Sequence, residues 1–135
     1  MSNKKTKKTI HRSRTAEMFL DEDGIIHQTH APDSELTLED IQEELVLYQR
    51  FAKREDAYIL IDLGNVKSVT LKARMYLASN AVSKFCSGAA LIAPSLTSKV
   101  LGNFFLGLNK PVIPTKLFGS EEEGLKWLRH LKQGL

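Results

Sequence analysis

The sequence predicts an α/β domain: a five-stranded, mostly parallel sheet with four helices, entered through an N-terminal hairpin. Three observations carry this expectation. Ala57-Tyr-Ile-Leu-Ile-Asp-Leu63 is a short unbroken apolar run, stopped by Gly64-Asn65, which is how a strand buried on both faces reads. From there to the C-terminus, strand patterns and helix patterns alternate, which calls for right-handed crossovers and a parallel sheet. Before the first helix, two strand patterns flank Asp21-Glu-Asp-Gly24, an acidic turn ending in glycine.

Residues 1–14 are polar, charged and aperiodic, and a disordered basic tail is expected there. They hold six of the 19 basic residues and no acid, so the rest of the chain, with 13 basic and 16 acidic residues, is mildly acidic. The net charge of +3 therefore belongs to the tail, and no basic stripe on the fold is implied. With no aromatic interleaved for base stacking and no apolar face, the tail reads as a solubilising leader, not as an arm for nucleic acid or membrane. No apolar segment follows Lys4, Lys5, Lys7 and Lys8, so a secretory signal is not expected either.

A single domain is expected over 15–135, with the element order ββαβαβαβα. The hairpin pairs Thr15–Leu20 with Gly24–His30. Ala31-Pro-Asp-Ser34 breaks the second strand, and a helix follows, capped by Thr37 with Asp40 three residues on. Leu38, Ile41, Leu45, Tyr48 and Ala52 form its inner face, while Glu39, Glu43 and Glu44 fall on the outer one. After the central strand, Thr70 caps a second helix that runs to about Phe85 and is rich in small residues. Cys86–Ala93 is the fourth strand, closed by Pro94. A third helix from about Ser95 carries Val100, Leu101, Phe104 and Leu108 toward the core, and Asn109-Lys110-Pro111 ends it. Val112–Phe118 contains Pro114, which cannot donate to a ladder, so this last strand belongs at an edge. Ser120 and Glu123 form a capping box for the final helix, whose inner face is Leu125, Leu128 and Leu131. In the central strand Ile59 and Ile61 face one way and Tyr58 and Leu60 the other. Both faces of the sheet therefore need a cover, from helices or from another chain.

Composition excludes several classes. At 135 residues, 42% apolar and 26% charged, the chain is one ordinary globular domain. The single cysteine, Cys86, rules out an internal disulfide and a multi-cysteine metal site, and it is expected to be a buried thiol in a cytoplasmic protein. No apolar run is long enough to span a bilayer. His27 and His30, three apart in a strand, face opposite sides, so no metal site is expected.

The groups with chemistry gather at the carboxyl edge of the sheet, where open α/β folds place their working residues. Asp62 is either an acid/base or ligand-binding carboxylate approached by Lys67 and Arg74, or an acceptor for backbone N–H groups in the next loop. Asn65 shares its turn. Ser68 and Thr70 are candidate phosphate acceptors at a helix start, with plain capping as the simpler account of Thr70. Ser95, Thr97 and Ser98, at the start of the third helix, are a candidate anion-binding group, with capping by one hydroxyl as the simpler account. Phe104-Phe-Leu106 puts three large apolar residues in a row, so Phe105 or Leu106 is expected at the rim, as a partner-facing patch or a pocket wall.

This order, with Asp62-Leu-Gly-Asn-Val66 and then Val69-Thr70, resembles the SpoIIAA-like group of STAS domains and anti-sigma-factor antagonists. In the antagonists the equivalent stretch ends in Asp-Ser-Ser-Gly, and one serine is phosphorylated by a partner kinase. Here it reads Thr70-Leu71-Lys72-Ala73, so the usual phospho-acceptor is absent. The second half is similar to small uncharacterised STAS/SEC14-type proteins of Bacteroidetes-like bacteria. That likeness is carried by Ala73-Arg74, Leu101-Gly-Asn-Phe-Phe-Leu106, Lys110-Pro111 with Pro114, and Leu117-Phe118 followed by Glu122, Glu123, Leu125, Trp127 and Leu128.

The resemblance implies a non-catalytic regulatory or interaction module. It would dock a protein partner, or a second copy as a homodimer, through Asp62, Asn65, Ser68, Thr70, Arg74, Phe105 and Leu106. The alternative is a SEC14-like carrier of a small molecule or lipid. No enzyme activity, cofactor or nucleic-acid partner is expected, because no nucleophile–base or metal constellation is assembled.

Overall fold

In a computed structural model of the chain, residues 9–52, 56–108 and 111–134 are described, with Ala52, Phe104, Phe105 and Leu108 described by their backbone alone. The strands are β1 (His11–Arg12), β2 (Ala16–Leu20), β3 (Ile25–His30), β4 (Ser34–Leu36), β5 (Tyr58–Asp62), β6 (Val66–Val69), β7 (Gly88–Ile92) and β8 (Thr115–Phe118). The helices are α1 (Leu38–Ala52), α2 (Leu71–Leu77), α3 (Leu96–Leu108) and α4 (Glu121–Lys132), with a 3-10 turn at Asn80–Lys84.

The main sheet has the order β1-β2-β3-β5-β7-β8. β1, β2 and β3 form an antiparallel meander, and β3, β5, β7 and β8 run parallel. Each parallel crossover steps the same way across the sheet, so α1, α2 and α3 all land on one face. There Ile41, Leu45 and Tyr48 of α1, Ala73 of α2 and Leu101 of α3 join Met18, Ile26, Ile59 and Ala89 in one core. α4 crosses nothing and is free to cover the other face. Its Leu128 is fully buried against Ile25, Leu60, Ala90 and Ile92. The chain thus covers both apolar faces of β5 itself.

α4 lies close to the sheet because Gly124 has no side chain to hold it off. A Cβ there would stand 2.6 Å from Ile92 Cδ1 and 2.9 Å from Leu60 Cδ1. In the hairpin, Gly24 takes φ +79, a conformation that glycine adopts without strain. Asp21 Oδ1 closes the turn by accepting from the N–H groups of Asp23 and Ile25.

Four differences from the sequence expectation have local causes. His11–Arg12 adds a sixth strand, pairing with Met18 and Glu17, and Arg14 binds Asp40, so order begins before residue 15; residues 1–8 of the expected tail lie outside the described residues. β4 and β6 make a separate two-stranded parallel sheet from segments too short to show a period. The second helix stops at Leu77, because the Ser79 hydroxyl donates to the Tyr76 carbonyl and accepts from the Ala81 N–H, drawing the backbone into the 3-10 turn. The last strand begins at Thr115, just past Pro114, and lies at the sheet edge as the proline requires.

The expected caps form. Asp40 N–H donates to Thr37 Oγ1 at 3.3 Å while Thr37 N–H donates to Asp40 Oδ2 at 2.9 Å. Ser120 Oγ accepts from Glu123 N–H, and Ser95 and Ser98 cap the start of α3 with each other's hydroxyls. No helix among the described residues is long and apolar enough to cross a membrane.

Candidate functional site

The sheet face beneath α1, α2 and α3 does not close completely. Ala89 of β7 offers only a methyl group to this face, and a cavity of about 310 Å³ remains between sheet and helices. Its walls are apolar: Ile59, Ile61 and Leu91 from the sheet, Leu45, Leu77 and Leu101 from the three helices.

One part of the lining is polar. Gln28 and His30 lie two apart on β3 and so share a face, and Glu44 and Tyr48 lie one helical turn apart on α1. All four are buried. The Tyr48 hydroxyl donates to Gln28 Oε1. Gln28 Nε2 donates to Glu44 Oε1 at 2.9 Å and lies 3.0 Å from His30 Nε2. His30 Nδ1 stands 3.3 Å from the Asp62 carbonyl oxygen. These contacts are mutually consistent when His30 carries its proton on Nδ1, donates it to that carbonyl, and accepts from Gln28 at Nε2. Glu44 Oε2 is different. Its side chain is 5% exposed, it stands 3.5 Å from His30 Nε2, and it accepts no hydrogen bond among the described residues.

The two acidic hydrogens of this lining are held tightly. Burial, with the Glu44 charge adding to it, pushes the Tyr48 phenol well above its ordinary 10. Burial pushes the Cys86 thiol up to about 12.

The residues singled out in the sequence fall into two groups. Ser68 and Arg74, both half-buried, line the cavity. Asp62, Asn65 and Thr70 build the edge around it: Asp62 Oδ1 accepts from Gly64 N–H at 2.7 Å, Asn65 Nδ2 donates to the His30 carbonyl at 2.9 Å, and Thr70 caps α2 by accepting from Ala73 N–H at 3.2 Å. Lys67, expected near Asp62, has its Nζ 3.9 Å from Glu35. Leu106 is half-buried, and the side chain of Phe105 lies outside the described residues. Val100, expected in the core, is 62% exposed.

Sequence reading missed the polar cluster. It assigned Glu44 to the outer face of α1, and the structure turns that residue inward; the i, i+4 spacing of Glu44 and Tyr48 was the available signal. His27 and His30 do point to opposite faces. His27 Nε2 meets Asp21 Oδ2 at 2.8 Å on the α4 side, and its Nδ1 stands 3.9 Å from Glu121 Oε1. No group of three or more metal-ligating side chains is found among the described residues.

Residues 18–132 match the family described as "Domain of unknown function (DUF7793)". The chain belongs to that family. Among solved structures, this DUF7793 domain is similar to an uncharacterised protein of the DUF3478 family with a SpoIIAA-like fold from Shewanella loihica PV-4. The two share 19% identity over 95% of this chain and 98% of that one, with a TM-score of 0.51. A protein of unknown function from Arthrobacter sp. FB24 matches at 27% identity over 82% of this chain and 96% of that one, but its TM-score of 0.32 is too low to compare folds. No curated protein matches. The Shewanella structure establishes the SpoIIAA-like fold, with its mixed sheet and helices on both faces, and nothing about activity.

Proposed function

We propose that this DUF7793 domain is a non-catalytic, cytoplasmic binding module that holds a small, mainly apolar molecule between its sheet and α1, α2 and α3. The observation that carries this reading is the cavity: apolar walls with a few convergent polar groups, the usual composition of a small-molecule site. Its volume of about 310 Å³ is at the lower end for such sites. A dry cavity of about 150 Å³ is enough for benzene, so the space suits a ligand of roughly two fused rings or an equivalent chain. The non-catalytic part of the reading is supported by the state of the nearby groups. Asp62 is engaged with backbone, and neither the Tyr48 phenol nor the Cys86 thiol is poised to lose its proton.

Native mass spectrometry of freshly purified protein tests this. The expected result is a co-purified apolar species that is released on denaturation. Protein that is ligand-free by mass, and whose melting temperature no small ring compound raises, would overturn the reading.

A second reading is docking of a protein partner or a second copy at the carboxyl edge, as the STAS-like resemblance implied. Exposed apolar pairs one turn apart favour it: Leu71 and Met75 on α2, and Leu96 and Val100 on α3, all 59–79% exposed. Sedimentation velocity of the wild-type chain and of a Leu71→Ser/Met75→Ser variant distinguishes self-association through this patch from a monomer.

A further inference from the structure

We propose that the ligand carries one neutral hydrogen-bond donor, an N–H or O–H set in an apolar body, directed at Glu44 Oε2. This rests on the cavity reading above and specifies its chemistry.

Gln28 is fully engaged: its oxygen accepts from Tyr48, and its amide nitrogen serves Glu44 Oε1 and His30 Nε2. Both nitrogens of His30 are engaged, one with Gln28 and one with the Asp62 carbonyl. Glu44 holds the orientation of Gln28, since flipping that amide would set its oxygen against the carboxylate. What the cluster leaves over is an acceptor, Glu44 Oε2, on a side chain that is 5% exposed and lines the cavity. A buried acceptor without a donor is costly, and a ligand that supplies the donor recovers that cost on binding.

The same geometry selects against other heads. A carboxylate or an ether oxygen would bring acceptor against acceptor. A cationic amine would have to give up its hydration for walls that are otherwise carbon, a cost that a neutral N–H or O–H does not carry. The walls otherwise offer carbon, so the rest of the ligand is apolar.

Three probes of nearly equal shape separate the possibilities on the wild-type protein: indole, which has an N–H donor and no comparable acceptor; indene, which has neither; and benzofuran, which has an acceptor oxygen. Titration calorimetry should find indole bound about ten- to a hundredfold more tightly than indene, the usual worth of a hydrogen bond to a charged group. Benzofuran should bind no better than indene. In Glu44→Gln, where an amide group replaces one carboxylate oxygen, the advantage of indole should fall below about threefold while indene is unaffected. Equal binding of indole and indene by the wild type would overturn the donor proposal and leave the apolar cavity reading standing. An advantage that survives in Glu44→Gln would also overturn it. Failure of all three probes to bind would overturn both. The wild-type comparison decides without any variant, so a poorly folding Glu44→Gln does not block it.

Discussion

Asp40 is a buried carboxylate made tolerable by its neighbours. Arg14 reaches it with Nε at 2.7 Å from Oδ1 and Nη2 at 2.5 Å from Oδ2, and the Thr37 N–H adds a third donor. The Arg14 hydrogen bond, more than any other contact, holds the carboxyl at about 2 against an ordinary 3.8. A depressed carboxyl contributes stability that is complete above its unfolded value and disappears as pH falls through its folded one. The melting temperature is therefore expected to decline between about pH 4 and pH 2, and Asp40→Asn should flatten that part of the profile. Cys86 supports a second expectation. With its thiol buried and pushed up to about 12, it should resist a disulfide reagent such as DTNB at about pH 8 and react only as the protein unfolds. Both expectations concern residues whose burial the sequence hinted at. Asp40 was legible as half of a capping box, yet Arg14, 26 positions away, was assigned to the tail, because nothing local links the two.

At the scale of elements, local signals located most of the secondary structure. Thr37, Thr70 and Ser120 all cap the helices they were expected to cap. Thr70→Ala should cost about 1 kcal/mol in urea denaturation, and Thr70→Ser should be close to neutral. A larger loss in the serine variant would mean that Thr70 does more than cap α2. Gly124→Ala opposes two effects. Alanine improves helix propensity by about 1 kcal/mol, but its Cβ meets Ile92 and Leu60 at distances that force repacking at about 1–3 kcal/mol. A net loss of roughly 1 kcal/mol is expected by the same assay. The elements that stayed hidden were the short ones. β4 has three residues and β6 has four, and their partners are 30 or more positions apart in the chain, so neither period nor turn chemistry announces them.

At the scale of the molecule, the cavity is a departure from close packing, and it should respond to being filled. Ala89 stands at its floor on β7, between β5 and β8. Ala89→Val adds two methyl groups there in a residue type that strands favour. The variant is expected to melt at or above the wild-type temperature and to lose probe binding by at least about tenfold, the pattern of a site kept open at the expense of stability. Unchanged binding of indole in that variant would place the probe elsewhere. The candidate site was less legible than the fold for a plain reason. A charged residue on a helix is read as exposed because most are, and the partner that satisfies Glu44 in the interior is Gln28, on a strand 16 residues earlier.

The amino-acid sequence alone determined the alternation of strand and helix, the caps, the edge position of the proline-preceded strand and the need to cover both faces of β5. Each of these follows from periodicity or from the stereochemistry of single residues, and such information is local. The tertiary structure alone decided that α4 supplies the second cover, that β4 and β6 pair, and that Gln28, His30, Glu44 and Tyr48 meet at one cavity. Those outcomes depend on which distant surfaces pack together and on the volume their side chains leave unfilled, quantities that no short stretch of chain contains.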